Sequence, residues 1–92
     1  MKLEGKIAVV TGASKGIGAG IAKALAAQGA TVIINYASSK PEADAVVAYI
    51  QENGGTAVAV QADMSKGAEV TRLFETVAAE FGTLDILVNN AG

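Results

Sequence analysis

The sequence predicts an α/β protein built on a parallel sheet, on two observations. Short apolar runs rich in β-branched residues alternate with longer segments of helical period, in the order βαβαβαβ. The chain is also 51% hydrophobic but only 4% aromatic. Its apolar content is therefore mostly Ala, Val, Ile and Leu, which suits strands buried on both faces beneath Ala-rich helices. Strands that alternate with helices imply right-handed crossovers and hence parallel pairing. With 92 residues and no linker or low-complexity stretch, residues 1–92 are expected to form one domain.

Each element has its own signal. The first strand is expected over Lys6–Thr11 (KIAVVT). The first helix, about Ile17–Gln28, carries Ile17, Ile21, Ala24, Leu25 and Gln28 along one stripe, and Gly29 ends it. The second strand is Thr31–Tyr36 (TVIINY). In the second helix, about Pro41–Glu52, Ser39 can cap, Pro41 suits the first turn, and Ala43, Val46, Val47 and Ile50 point inward. Asn53-Gly54-Gly55 ends that helix, and the third strand follows as Thr56–Gln61 (TAVAVQ). The third helix begins after Ser65. Its stripe of Val70, Leu73, Phe74, Val77, Ala78 and Phe81 is the cleanest in the chain, and Gly82 closes it. The fourth strand is Leu84–Asn89 (LDILVN).

Composition removes several function classes. The net charge is −2, with acids and bases scattered, so the concentrated basic footprint of a nucleic-acid binder is missing. There is no cysteine and no histidine, which excludes disulfides, a thiolate site, Ser-His chemistry and the usual zinc sites. No metal site is expected. The opening Met1-Lys2-Leu3-Glu4-Gly5-Lys6 has no apolar signal region, and no apolar stretch has bilayer-spanning length. A cytoplasmic protein with no membrane partner is the expectation. Charged residues are only 17%. That is explained either by a well-buried core or by an apolar surface covered by further sequence or a partner.

The chemistry concentrates after the first strand, in Thr11-Gly12-Ala13-Ser14-Lys15-Gly16-Ile17-Gly18, with a helix following. A phosphate at a helix N-terminus meets unsatisfied N–H groups and the positive end of the helix dipole. Glycine is needed wherever backbone and ligand approach closely. Gly12 would make the tight turn, Gly16 the close approach, and Gly18 the close helix–strand packing. The spacing G-x-x-x-G-x-G is neither G-x-G-x-x-G nor a Walker A loop. By themselves such glycines are also consistent with a turn and close packing alone, and the strand before and helix after favour a phosphate cradle.

Together with Asp63 just after the third strand and Asn89-Asn90-Ala91-Gly92 after the fourth, this loop resembles the short-chain dehydrogenase/reductase family. Within that family it resembles the 3-ketoacyl-carrier-protein reductases and glucose dehydrogenases. The resemblance covers essentially the whole chain and implies half of a Rossmann fold with strand order 3-2-1-4. The first two helices would lie on one face and the third on the other. It implies a nicotinamide dinucleotide as ligand, with Gly12, Ser14, Gly16, Ile17 and Gly18 along the pyrophosphate and its ribose. Asp63 and Met64 would sit beside adenine, the Asp63 carboxylate accepting from the exocyclic amine. Asn90, Ala91 and Gly92 would flank the nicotinamide ribose. Asp63 also reads as an ordinary turn or cap residue before Ser65, and Asn89 and Asn90 as residues that bond neighbouring strands.

An NAD site usually ends its second strand with an acid that holds the ribose 2′-OH. Here Asn35-Tyr36-Ala37-Ser38-Ser39-Lys40 has no carboxylate, while Ser38 and Ser39 can donate and Lys15 and Lys40 can supply charge. In the family a basic residue just before the second glycine accompanies NADP preference, and Lys15 matches it. NADP is expected over NAD, with Tyr36 and Ser38 near the adenosine ribose. Either lysine is also consistent with a solvated loop charge. Tyr36 and Lys40 mimic the family's Tyr-x-x-x-Lys catalytic pair, but Tyr36 ends a strand and Pro41 disfavours helical geometry at Lys40. No catalytic residue is expected in this chain. The family's catalytic Ser and Tyr-Lys pair would lie beyond Gly92, so the chain reads as a cofactor-binding fragment of an oxidoreductase acting on a carbonyl or alcohol. Its fourth strand would be an apolar edge that invites homodimer pairing through Leu84–Asn89. The alternative is a half-Rossmann structural fragment that self-associates without useful cofactor affinity. An S-adenosylmethionine methyltransferase is disfavoured, since it would show an acid ending the second strand and no Asn-Asn-Ala-Gly.

Overall fold

The computed structural model describes residues 2–90. Elements follow in the expected order: β1 (Ile7–Val10), α1 (Gly16–Ala27), β2 (Thr31–Tyr36), α2 (Lys40–Glu52), β3 (Thr56–Gln61), α3 (Gly67–Phe81) and β4 (Ile86–Val88). The strands form one parallel sheet in the order β3-β2-β1-β4. The expected half-Rossmann topology is therefore the one adopted. β2 and β3 occupy their predicted ranges, pairing from Thr31 with Thr56 to Tyr36 with Gln61. β1 and β4 are shorter than predicted. At the start of β4, Asp85 interrupts the ladder: its N–H donates to the Ile7 carbonyl at 2.9 Å, and its carboxylate accepts the Ile7 N–H at 2.9 Å.

The sheet separates two cores. Ala8, Val10, Val32, Ile34 and Tyr36 point toward α1 and α2, where they meet Ala19, Ala22, Ala43, Val46 and Ile50. On the other face Ile7, Val9 and Ile33 meet Leu73 and Val77 of α3, with Ala62 between. Burial on both faces therefore holds for the central strands β1 and β2. It fails for β3, whose Val58, Ala59 and Val60 are half-buried, and for β4, where Leu87 is 51% exposed. Each of these strands has a neighbour on one side only, and a single helix covers the second face.

The stripe predicted for α1 is also corrected. Its buried face is Gly18, Ala19, Ala22 and Ala26, while Ile17 is 78% exposed and Ala24 and Gln28 are exposed. Ile21 and Leu25 are half-buried flankers of the first core. The smallest residues take the line of closest approach, because they let the helix axis settle onto the sheet and against α2. In α2 the inward set is as predicted, with Ala43, Val46 and Ile50 buried and Val47 half-buried. In α3 Leu73 and Val77 are buried, Val70, Phe74 and Phe81 are half-buried, and Ala78 is exposed.

The helix ends follow two rules. At the C-terminus of α1, the N–H of Gly29 bonds the Ala26 carbonyl and that of Ala30 bonds Leu25. The C-terminus of α2 repeats this arrangement with Gly54 to Gln51 and Gly55 to Ile50. Both are the paired closure that a left-handed glycine permits. N-termini differ from expectation: Ser39 occupies the cap position of α2 but its side chain makes no capping bond. Lys40 is the first residue of α2, so the expectation that Pro41 keeps Lys40 out of helical geometry is corrected. Pro41 itself is tolerated in the first turn, where its missing N–H costs no intrahelical bond.

Leu73 and Ile17 separate burial from hydrophobicity. Leu73→Ala is expected to lower the unfolding free energy by about 2 to 5 kcal/mol. Ile17→Ala should change it by less than about 0.5 kcal/mol. Urea unfolding followed by circular dichroism measures both, and similar losses at the two positions would contradict the packing described.

Candidate functional site

The C-terminal ends of β1, β2 and β3 converge on a cleft of about 330 Å³ lined by Gly12, Asn35, Ala37, Ala62, Asp63, Met64 and Ser65. It lies where open α/β sheets take ligands, outside the carboxyl ends of strands and next to the point where strand order reverses. That reversal falls between β1 and β4: α1 and α2 serve one side, and α3 returns the chain to the other.

Gly12 turns the chain out of β1 at φ 60°. Its N–H donates to the Asn35 side-chain oxygen at 3.2 Å, and the next N–H, of Ala13, donates to the Asn35 carbonyl at 2.9 Å. The Asn35 amide nitrogen in turn donates to the carbonyls of Val60 at 3.4 Å and Ala62 at 3.2 Å. This buried residue thus ties the glycine loop, β2 and the end of β3 together. Nothing in the order of residues marks Asn35 as part of the site beyond its being a lone amide in the apolar run TVIINY, and a buried amide must find partners.

The two other loop glycines act differently. Gly16 has φ 62°, and a Cβ there would meet nothing within 4 Å. The space beside Gly16 is open, so no packing contact within the protein explains this glycine. A Cβ on Gly18 would fall 2.5 Å from the Gly12 carbonyl oxygen and 2.6 Å from the Asn90 amide nitrogen. The tight packing expected of Gly18 is therefore against the loop and Asn90, not against a strand. Lys15 is the cap residue of α1 without a capping side-chain bond, and the first turn has no acid. Ser14 is half-buried, and Lys15 and Ile17 are exposed. The start of α1 is thus an uncapped set of N–H donors with glycine around it, the chemistry that suits a phosphate group.

After β4, Asn90 closes the loop from the far side. Its N–H donates to the Thr11 hydroxyl at 2.9 Å and its amide to the Gly12 carbonyl at 3.2 Å. The Thr11 hydroxyl lies 3.4 Å from both the Val88 carbonyl and the Asn89 side-chain oxygen. The strand-bonding role read for Asn89 and Asn90 is present. Ala91 and Gly92 lie outside the described residues.

Asp63 takes the turn geometry read as its alternative role. One carboxylate oxygen accepts the Ser65 hydroxyl at 2.6 Å and the Ser65 N–H at 2.9 Å. These bonds, the hydroxyl's foremost, hold its carboxyl below the usual aspartate range. At neutral pH it is a carboxylate with acceptor capacity left on its second oxygen. Its own N–H donates to Glu69 of α3 at 2.8 Å. Met64 is half-buried against the second core. Across the cleft Tyr36 is buried at the end of β2 and Ser38 is exposed. Lys40 pairs with Asp44 at 2.7 Å, and that hydrogen bond and charge raise its pKa. Tyr36 ends a strand while Lys40 begins a helix, so they do not share the helical turn that a Tyr-x-x-x-Lys pair requires.

A second cavity, about 430 Å³, lies between the C-terminal halves of α1 and α2, lined in part by Lys23, Tyr49 and Asn53. The Lys23 ammonium sits 4.3 Å from the Tyr49 ring centre. It belongs to the end of the sheet away from the glycine loop and shares none of its residues.

Comparison with known proteins agrees with this geometry. The model of the short chain dehydrogenase family matches residues 6–92. An uncharacterized oxidoreductase of Methylorubrum extorquens is 64% identical over 91 residues, covering 99% of this chain and 37% of the relative. A 3-oxoacyl-[acyl-carrier-protein] reductase of Synechocystis is 53% identical over 90 residues, covering 98% of this chain and 36% of that protein. The chain thus spans about a third of the length of the curated relatives it matches. Among solved structures, a Burkholderia cenocepacia short chain dehydrogenase in complex with NADP superposes with a TM-score of 0.94 at 54% identity. That match covers all of this chain and 38% of the other.

Gly18→Ala is expected to push Asn90 off the Gly12 carbonyl and to destabilise the fold by about 1 to 3 kcal/mol, the range for overpacking. Amide exchange at residues 11–18 should accelerate more than exchange in α2. A variant with unchanged stability and exchange would contradict the packing at Gly18.

Proposed function

The chain belongs to the short-chain dehydrogenase family, and from that premise we propose that it is the NADP(H)-binding unit of an oxidoreductase acting on a carbonyl or alcohol. The observation that carries the reading is the glycine loop over an uncapped helix start, opening beside the cleft at the ends of β1, β2 and β3. The bound dinucleotide would supply hydride chemistry. The residues of this chain would bind and orient it.

In this reading the uncapped N–H groups of α1 meet the pyrophosphate, with Gly12, Ser14, Gly16, Ile17 and Gly18 along it. Asp63 offers its second carboxylate oxygen to the adenine amine, with Met64 beside the ring. Asn90, with Ala91 and Gly92, flanks the nicotinamide ribose. NADP is favoured over NAD because residues 35–40 carry no carboxylate to repel a 2′-phosphate. Ser38 lies exposed next to buried Tyr36, and Lys15 makes no ion pair among the described residues. The Burkholderia relative's complex with NADP supports the same choice. No described residue of this chain is assigned a catalytic role, and residues 1–92 act as one domain. No helix among the described residues is long and apolar enough to cross a membrane, and a cytoplasmic location is part of the proposal.

Homodimerisation through β4 belongs to the same proposal. Among the described residues the strand pairs with β1 alone, and Leu87 within it and Leu84 just before it are 51% and 36% exposed. An unpaired apolar edge recruits another strand. Sedimentation at micromolar concentration should show a dimer that Leu87→Lys shifts toward monomer, and a monodisperse wild-type monomer would overturn this part.

Calorimetric titration with NADPH and NADH in parallel tests the cofactor assignment. Saturable binding with NADPH at least about tenfold tighter, a difference of about 1.4 kcal/mol, is the expected result. No heat with either cofactor, from folded protein, would leave a structural fragment whose glycine loop binds nothing.

A further inference from the structure

Gln61, the last residue of β3, sends its amide nitrogen to the Ala37 carbonyl at 2.8 Å. Among the described residues this is the sole side-chain hydrogen bond to residues 37–39. Arg72 of α3 donates to the Gln61 backbone carbonyl at 2.6 Å and lies 3.5 Å from the Gln61 side-chain oxygen. The guanidinium therefore fixes which way the amide points. A flipped amide would set donor against donor at Arg72 and acceptor against acceptor at Ala37. Three residues earlier on α3, Glu69 lies 3.7 Å from Arg72 and also accepts the Asp63 N–H at 2.8 Å.

These bonds reach both lips of the cleft. Glu69 holds the Asp63 lip directly, and Arg72 holds the Ala37 lip through Gln61. The two α3 side chains sit one turn apart and attract each other, so the lips are set from one helix face. Resting on the NADP(H) reading, we propose that Gln61 and Arg72 are positioning residues that hold the Ala37–Ser39 backbone where it receives a ribose 2′-phosphate. They touch no ligand in this scheme. They fix the loop whose exposed Ser38 would do so, and their loss should cost selectivity for the phosphate more than adenosine affinity.

The test uses adenosine 2′,5′-bisphosphate and 5′-AMP, which differ only in the 2′-phosphate, with wild type, Gln61→Leu and Arg72→Gln. One hydrogen bond is worth about three- to tenfold in affinity. Both variants should weaken the bisphosphate by about that factor and 5′-AMP by less than about twofold, with thermal midpoints near wild type. Equal weakening of both nucleotides, or of neither, would overturn the positioning role while leaving the cofactor reading intact. Failure of wild type to bind either nucleotide would overturn both together. Should Gln61→Leu lose stability, Arg72→Gln decides alone, because it leaves the Gln61–Ala37 bond chemically possible while removing the guanidinium contacts that orient Gln61.

Discussion

The Asn35 side chain sits inside the molecule with two donors and an acceptor to satisfy, and each unmet group would cost about 1 to 3 kcal/mol. Its partners are the Gly12 N–H and the carbonyls of Val60 and Ala62. Two separate chain segments, the glycine loop and the end of β3, must come within hydrogen-bond reach of one residue at the end of β2. Where they meet, the glycine loop is drawn over the sheet and the end of β3 is drawn beside it. The cleft is the space those bonds leave. Its position follows from a buried polar group, while its walls follow from apolar packing.

Packing supplies a second constraint. α1 reaches the sheet through Gly18, Ala19, Ala22 and Ala26, so its start lies close above the loop. That closeness leaves Gly18 no room for a Cβ and brings the Asn90 amide onto the Gly12 carbonyl. The larger Ile17 is carried outward, exposed at the helix start. Small residues placed by packing and uncapped donors placed by the helix end therefore arrive at the same loop.

Electrostatics at the rim are local and modest. Lys40 and Asp44 form an exposed pair, and such pairs are worth little in water. The hydrogen bonds from Ser65 lower the Asp63 pKa, so its charge persists to lower pH than that of a free aspartate. The groups that organise the rim are hydrogen bonds from α3, where Glu69 and Arg72 reach Asp63 and Gln61.

Much of this molecule was legible in its residue order. The alternation of apolar runs with helical stripes fixed the number, type and order of elements, because side-chain period is a local property. Glycine spacing after β1 located the loop, since positive φ at Gly12 and Gly16 is a backbone demand that few other residues meet. Other features had no local signal. Which face of α1 is buried depended on how closely the helix could approach the sheet, so Ile17 is exposed and Ala22 is not. The late start of β4 goes with Asp85 bonding Ile7, 78 residues away in the chain. Asn35, Gln61 and Arg72 looked like isolated polar residues until tertiary structure gave each a partner. The sequence alone determined the elements and the loop that marks a family. Tertiary structure decided which polar residues hold that loop and its cleft in place, because a hydrogen bond is set by distance in space and not by spacing along the chain.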